Sequence, residues 1–326
     1  MIPTLVLDEL DRRIVGALQV NGRAGWRRIA AVLDVPERTV AARGAELLRS
    51  RQVRMTGLTL LPQGGVLDST IASVRCVSGM NRVTATAAAG RPGSVFTYLT
   101  TGDADCVFEL MNERSRSLSM LLDEIPAMPG AADINTATVL KLYKGTHQWL
   151  PGILDADQVA ALMDREQSWE PTGSVELEPL SREEQEIARV LAFDGRATVE
   201  ELARATALSP ASARRRLAHL QASGRIFDRA VVEPAALGFP VEAILRIRTH
   251  PGRTEDVARR LAEVPEVRYL AFTTGRHQLF VDIACVDHTA LAEFLMRADW
   301  TEDAIEVDTS IVLQALKRSG VRLDEG

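Results

Sequence analysis

The side chains best suited to specific chemistry in this sequence are arginines near the start of one predicted helix. Arg214 and Arg215 follow a Ser-Pro pair, and the inward spacing of Ala213 and Leu217 leaves both guanidinium groups on the outer face. A guanidinium group presents a planar fork of donors that matches phosphate oxygens and the guanine edge. The pattern predicts contact with a nucleic acid, and the alternative is an ordinary solvated helix face.

Local charge favours the phosphate interpretation. Residues 8–54 contain ten arginines against six acidic residues, and residues 181–229 contain nine against seven. The whole chain nevertheless carries a formal net charge of −6. Basic charge is therefore concentrated in these two segments, which is the distribution expected of a protein that contacts DNA locally.

Three short helices must position these arginines. Apolar spacing predicts a first helix through Ile187 and Leu191 and a second helix around residues 200–204. Ser209 is a natural N-cap for the third helix, which Gly224 ends, and the residues that follow alternate like a strand or wing. This order predicts a winged helix-turn-helix whose third helix enters the major groove of DNA.

The chain repeats itself at a spacing of 173 residues. At this offset Leu7 aligns with Leu180, Arg23 with Arg196, and the alignment continues to the last strand. A period of this length indicates two fused copies of one subunit rather than a solenoid. The predicted domains are a first helix-turn-helix over 1–56, a first α+β domain over 66–148, a linker over 149–178 with a short helix capped by Asp155, a second helix-turn-helix over 179–230 and a second α+β domain over 239–322.

The first helix-turn-helix has proline at position 36 where the second copy has its serine cap, so its third helix starts less firmly. The two third helices also expose different residues, so a symmetric DNA site is not required. The residues predicted to contact DNA are Arg38, Thr39, Arg43, Arg49, Arg54, Ser209, Ser212, Arg214, Arg215 and His219.

The second part of each copy reads as strand, helix, strand, strand, helix, strand. This βαββαβ order is typical of a ferredoxin-like fold, so the fold class is α+β with two helix-turn-helix and two ferredoxin-like domains. Helices cover one face of such a sheet, and the other face needs a partner. We expect the two sheets of the chain to cover each other as an internal pseudo-dimer.

The segments LDELDRRIVGAL, NGRAGWRRIAAVL and PEVRYLAFTTGRHQLFVDI, with final strands ending in VLKLYK and VLQALKR, resemble the Lrp/AsnC family of bacterial and archaeal transcription regulators. The resemblance covers both copies, nearly the whole chain outside the linker. It implies binding to double-stranded DNA, assembly of dimers into larger homo-oligomers, and an amino-acid effector bound near the turn between the second and third strands of the sensing domain.

The two turns at this position differ in charge. The first contains Asp103 and Asp105, which could accept the ammonium group of an amino acid, whereas Arg276 and His277 in the second favour an anionic ligand or none. A plain hairpin with a turn glycine is the alternative for both. The effector candidates are Thr101, Gly102, Asp103, Asp105, Thr274, Gly275, Arg276 and His277.

Other classes of protein receive less support from the sequence. Three scattered cysteines without a CxxC pair predict no metal site, and we expect no cofactor, no membrane span, a cytoplasmic location and no enzymatic activity. Two alternatives stay open: a DNA-organising protein that senses no ligand, and an enzyme like the siroheme decarboxylases, which resemble this family in fold. His277 would serve such an enzyme, but aromatic residues make up only 5% of the chain.

Overall fold

The computed structural model describes residues 7–59, 65–163, 176–177 and 179–323. Its residues form two compact units. The helical unit comprises Met1–Gln63, Leu150–Glu170 and Pro179–Gly238. The sheet unit comprises Gly64–Trp149, Pro171–Glu178 and Phe239–Gly326. Each unit therefore takes its chain from both copies of the repeat.

The first copy contributes three helices and a strand to the helical unit and a βαββαβ segment to the sheet unit. These are α1 (Glu9–Val20), α2 (Trp26–Leu33), α3 (Glu37–Arg49), β1 (Arg54–Thr59), β2 (Gly65–Cys76), α4 (Asn81–Ala89), β3 (Ser94–Thr100), β4 (Cys106–Glu113), α5 (Arg114–Ser119, extended by a π-helical turn over Met120–Glu124) and β5 (Ala131–Lys144).

The second copy follows after a short connecting helix and strand. Its elements, with the connection first, are α6 (Ala156–Leu162), β6 (Glu176–Leu177), α7 (Arg182–Phe193), α8 (Val199–Thr206), α9 (Pro210–Ala222), β7 (Ile226–Val231), β8 (Val241–Thr249), α10 (Thr254–Ala262), β9 (Val267–Thr273), β10 (Leu279–Cys285), α11 (His288–Leu295), α12 (Ala298–Thr301), β11 (Ala304–Arg318) and β12 (Val321–Arg322).

The helix boundaries follow local sequence signals. The Ser209 side chain accepts a hydrogen bond from the Ser212 amide at the start of α9, and Gly224 adopts a positive φ of 65° just after the helix. Pro36 provides no side-chain cap for α3. Asp155 caps α6 as predicted, and this short helix ends at Leu162.

The α6 helix packs within the helical unit instead of spanning open solvent. Its last turn offers the Leu162 carbonyl to the Asn21 side-chain amide at 3.1 Å and the Ala161 carbonyl to Arg28 at 2.9 Å. Leu162 itself is fully buried. The predicted linker thus contributes part of the packing around the first helix-turn-helix.

The strand that follows each helix-turn-helix does not form a wing of its own domain. Instead β1 and β7 pair with each other as an antiparallel ribbon that places Thr56 opposite Arg229. The wing prediction was wrong on this point because a lone strand needs a partner, and the nearest one belongs to the other copy. Thr56 and Arg229 are separated by 173 residues, so the pseudo-twofold axis of the helical unit passes between them.

The sheet unit is one closed ring of eight antiparallel strands rather than two separate sheets. The order is β11-β3-β4-β2-β5-β9-β10-β8, and β8 pairs again with β11. The long strands β5 and β11 make this possible. At their starts β5 pairs with β2 and β11 with β8, each within its own copy. At their ends they pair with β9 and β3 of the other copy, through Val139–Thr273 and Val312–Thr100.

The interior of the ring contains side chains from both copies. Helices cover the outer faces, α4 and α5 over the first copy and α10 and α11 over the second. The two sheets were predicted to cover each other as separate layers. Instead, backbone hydrogen bonds join them into one continuous sheet. The shared interior is formed by Ile71, Phe96, Tyr98, Ala104, Val107, Ile244, Tyr269, Ala271 and Phe280.

Two lysines at equivalent positions join the copies in the same way. Lys144 donates to the carbonyl oxygens of Ala262 and Val264 at 2.8 and 3.1 Å, at the end of α10. Lys317, which lies 173 residues later, donates to Ala89 at 3.0 Å at the end of α4. A compact ammonium group suits the negative C-terminal end of a helix, and each lysine reaches the helix of the opposite copy.

Candidate nucleic-acid interface and effector turns

The exposed face of α9 carries the predicted DNA-contacting arginines. Arg214 and Arg215 are exposed, and neither forms an ion pair with any residue that the structure describes. Ala213 and Leu217 on the opposite face are buried in the helical core. Ser212 lies in the first turn, where its hydroxyl accepts a hydrogen bond from Ser209 at 3.1 Å, and His219 is exposed two turns further on.

The third arginine of the run has a different role. Arg216 donates to the Ser181 hydroxyl at 3.0 Å and lies 3.8 Å from the Glu183 carboxylate, so it joins α9 to the start of α7. The run of three arginines therefore divides into two outward side chains and one that holds the helices together.

The third helix of the first helix-turn-helix, α3, also has outward side chains and one arginine held within the fold, but it carries fewer charges. Arg38 and Thr39 are exposed, and Arg38 lacks an ion pair within the described part of the chain. Arg43 is the equivalent of Arg216 and is held in ion pairs by Asp8 and, at 3.0 Å, by Asp11. Its hydrogen bond lowers the pKa of the Asp8 carboxyl. The predicted contact residue Arg43 is thus engaged in the fold.

The remaining predicted contacts lie after α3. Arg49 is exposed and pairs with Glu46 one turn earlier at 2.7 Å. Arg54 is half-buried at the start of the β1–β7 ribbon. The predicted contact residues that remain exposed therefore fall into three groups, one at the start of each third helix and one near the ribbon.

The first predicted effector turn is tied to β11. Gly102 supplies the required positive φ of 87°, and Thr101 exchanges two 2.9 Å hydrogen bonds with the backbone of Ile311. The Asp105 carboxylate accepts from the Cys76 amide at 2.7 Å and from the Asn81 side chain at 3.2 Å. Asp103 is exposed at the tip. Asp105 therefore already holds the end of β2.

The second turn has the same backbone arrangement and different side chains. Thr274 exchanges equivalent hydrogen bonds with Thr138, and Gly275 has a φ of 100°. Arg276 pairs with Glu306 at 2.8 Å. The His277 Nε2 atom lies 3.8 Å from the same carboxylate, and partial burial lowers the pKa of this imidazole.

Sequence reasoning missed a polar group beside the first turn. Arg246 on β8 contacts Asp308 at 2.9 Å, Ser310 at 3.2 Å and Ser73 at 3.3 Å. A Cβ atom at Gly102 would lie 3.1 Å from the Ser310 hydroxyl, which places this group at the turn. These residues lie on three different strands, and their proximity depends on the register between those strands, which the sequence does not reveal.

The described residues contain no cluster of three or more histidine, cysteine or carboxylate side chains that could hold a metal ion. None of the helices in this part of the chain is both long and apolar enough to cross a membrane.

A helix-turn-helix combined in one chain with a ferredoxin-like domain is an arrangement found in DNA-binding transcription regulators. Residues 7–48 match the AsnC-type helix-turn-helix domain, and residues 242–321 match the Lrp/AsnC ligand binding domain. The HTH-type transcriptional regulator FL11 of Pyrococcus horikoshii is 31% identical over 141 residues, which cover 43% of this chain and 93% of that protein. The chain belongs to the Lrp/AsnC family.

Two other similarities extend this result. An uncharacterized HTH-type transcriptional regulator of Pyrococcus horikoshii, PH0140, is 28% identical over 147 residues, covering 45% of this chain and 91% of that one. The crystal structure of the siroheme decarboxylase NirDL superposes with a TM-score of 0.60 and 15% identity, covering 97% of this chain and 94% of that chain. At this identity the likeness to NirDL concerns the fold alone.

Proposed function

We propose that the chain is a tandem fusion of two Lrp/AsnC units that acts as a DNA-binding transcription regulator. The observation that carries the proposal is the division of the arginine run in α9. The fold uses Arg216, while Arg214 and Arg215 remain outward and without an ion pair in the described structure. Two adjacent free guanidinium groups near the start of a third helix suit phosphate and guanine.

The two DNA-reading surfaces differ, so the proposed operator has two unlike half-sites. The α3 surface offers Arg38 and Thr39, whereas the α9 surface offers Ser212, Arg214 and Arg215. Alanines 41 and 42 occupy the α3 positions that correspond to the two α9 arginines. A base change in one half-site should therefore affect binding through one helix only.

We also propose that the turns over 101–105 and 274–277 bind a small effector. In the first turn Asp103 is the carboxylate open to a ligand ammonium group, because Asp105 already accepts two hydrogen bonds from the protein. In the second turn Arg276 would exchange Glu306 for an anionic ligand. The internal pseudo-dimer would then be the building block of any larger assembly.

Fluorescence anisotropy on DNA from upstream of the protein's own gene tests the DNA-binding proposal. Arg214→Ala should weaken binding and reduce the slope of log K against log salt by about 0.9, the value for one phosphate contact on duplex DNA. Arg189→Ala is the matched control, since Arg189 is exposed on α7 and paired with Glu186. Equal affinity and slope for the two variants would contradict the assignment.

The two alternative functions predict different results in DNA-binding and ligand-binding measurements on the same protein. Sequence-independent binding that no amino acid or metabolite alters would favour a DNA-organising protein without an effector. A ligand specific for the folded state should stabilise it by about 2.7 kcal/mol at a concentration of 100 Kd. Absence of DNA binding at low salt, together with a tetrapyrrole absorbance shift that His277→Ala abolishes, would favour the decarboxylase-like enzyme.

A further inference from the structure

Within each unit, equivalent positions of the two copies meet at a local pseudo-twofold axis, and the residues there are unlike. Arg246 donates to Ser73 at 3.3 Å in the sheet unit, and Arg229 lies opposite Thr56 in the helical unit. Both pairs are separated by 173 residues. In a symmetric dimer of identical subunits each of these positions would face its own copy. Here a small hydroxyl residue of the first copy accommodates an arginine of the second.

Two buried phenol–carboxylate hydrogen bonds also join unlike halves. Tyr98 of the first copy donates to Asp282 of the second at 3.1 Å, and Tyr269 of the second donates to Glu109 of the first at 3.0 Å. All four side chains are at most 5% exposed. The carboxylates occupy equivalent positions, but the tyrosines do not. The equivalents of Tyr98 and Tyr269 are Ala271 and Phe96.

Two buried arginines near these carboxylates also occur in the second copy only. Arg268 lies 3.3 Å from Asp282, and Arg318 pairs with Glu242 at 2.6 Å. The equivalents of the two arginines in the first copy are Val95 and Gly145. Glu109 consequently depends on hydroxyl donors, namely Ser69 of its own copy and Tyr269 of the other.

Pairing of like halves from two chains would remove these contacts. Glu109 would meet Phe96 in place of Tyr269, and Asp282 would meet Ala271 in place of Tyr98. At the axis Arg246 would face a second Arg246, and Arg229 a second Arg229. Each lost hydrogen bond leaves a buried carboxylate less satisfied, and each arginine pair brings like charges together, both of which disfavour the wrong partner.

We infer that these contacts specify pairing between unlike halves, so that a second copy of the chain is excluded as a like-with-like partner. The partner that fits the interior surface of either half is the complementary half, with a phenol where the other presents a carboxylate and a hydroxyl where the other presents arginine. This inference concerns assembly of the fold and holds whether or not the protein regulates transcription.

Single cysteines near the axis report which halves have paired. The hydroxyls of Thr146 and Ser319, which are equivalent positions, lie 3.5 Å apart. The full chain is unfolded, refolded at high concentration and oxidised. The Thr146→Cys/Ser319→Cys variant should form a disulfide within one chain. With Ser319→Cys alone, the yield of disulfide-linked pairs of chains should be at least about tenfold lower than the yield of the intrachain disulfide. This is the ratio expected from one lost buried hydrogen bond.

The parent chain with its three native cysteines controls for other disulfides. Interchain product from Ser319→Cys as abundant as the intrachain disulfide of the double variant would overturn the inference. The residues responsible are tested by adding Arg246→Ser and Arg229→Thr to Ser319→Cys, which should increase interchain product with concentration.

Arg248→Ser is the matched control for these arginine substitutions, since Arg248 lies on the same strand and is near Glu306 of its own half. An equal increase with Arg248→Ser, or no increase with the axis variants, would show that the arginines do not select the partner. The intrachain disulfide of the double variant reports folding in each background, so failure to fold is distinguishable from altered pairing.

Discussion

At the scale of single residues, the carboxyl group of Asp228 is partly buried and incompletely hydrogen-bonded. Asp228 on β7 receives one hydrogen bond from Gln221 at 2.6 Å, and its Oδ1 atom has no partner in the described structure. Burial raises the pKa of this carboxyl to about 6, against the opposing influence of Arg23. A carboxyl group with a raised folded-state pKa holds its proton more tightly in the folded protein than in the unfolded chain.

This shift predicts a pH dependence of stability. The contribution of Asp228 is fully present below pH about 4 and is lost as pH rises through about 6, with a total of up to about 3 kcal/mol for a shift of this size. Asp228→Asn should therefore gain stability relative to the wild type between pH 5 and pH 7 in urea unfolding monitored by circular dichroism. Asp157→Asn, at an exposed position on α6, is the control. Parallel pH profiles for the wild type and Asp228→Asn would contradict this assignment.

At the scale of secondary-structure elements, the β1–β7 ribbon depends on the close approach of two loops. Arg23 donates to the carbonyls of Gly195 and Ala197 at 2.7 and 2.6 Å, and Arg196 returns equivalent bonds to the loop that contains Gly22. The Gly195 amide also donates to the Met55 carbonyl at 2.9 Å. These reciprocal contacts leave little room for a side chain at either glycine.

The two glycines differ in what a methyl group would meet. At Gly195 the nearest atom is the Thr56 backbone nitrogen at 2.7 Å, whereas at Gly22 it is the mobile end of the Met55 side chain at 2.7 Å. Gly195→Ala should cost about 1–3 kcal/mol of unfolding free energy, because backbone must move, and Gly22→Ala should cost less. Chemical denaturation of both variants measures the difference. Equal losses would mean that the ribbon itself shifts easily.

The sequence predicted individual elements better than their partners. Ser209 and Asp155 were identified as caps, and the inward positions Ala213 and Leu217 are buried, because caps and apolar periodicity are local properties. The crossing of β5 and β11 into the other copy was not predicted, since alternation shows which face is buried and not which strand is adjacent. The engagement of Arg43 by Asp8 was missed for the same reason.

At the scale of the whole molecule, the boundary between the sequence copies differs from the boundary between the packed units. Helices of both copies pack in the helical unit, and strands of both copies alternate around the ring of the sheet unit. A chain of two independent subunits would place each copy in its own cooperative unit. Here a defect in one copy must be transmitted to the elements of the other copy that pack with it.

Hydrogen exchange measured by mass spectrometry tests this prediction with cavity variants in the first copy. Leu33 and Phe108 are at most 2% exposed, so Leu33→Ala and Phe108→Ala should cost about 2–5 kcal/mol. In the helical unit, Leu33→Ala should speed exchange in α8 and β7 as well as in α2. In the sheet unit, Phe108→Ala should speed exchange in β9 and β10 as well as in β4. Faster exchange confined to the first copy would show that the copies unfold independently, despite the strands that join them.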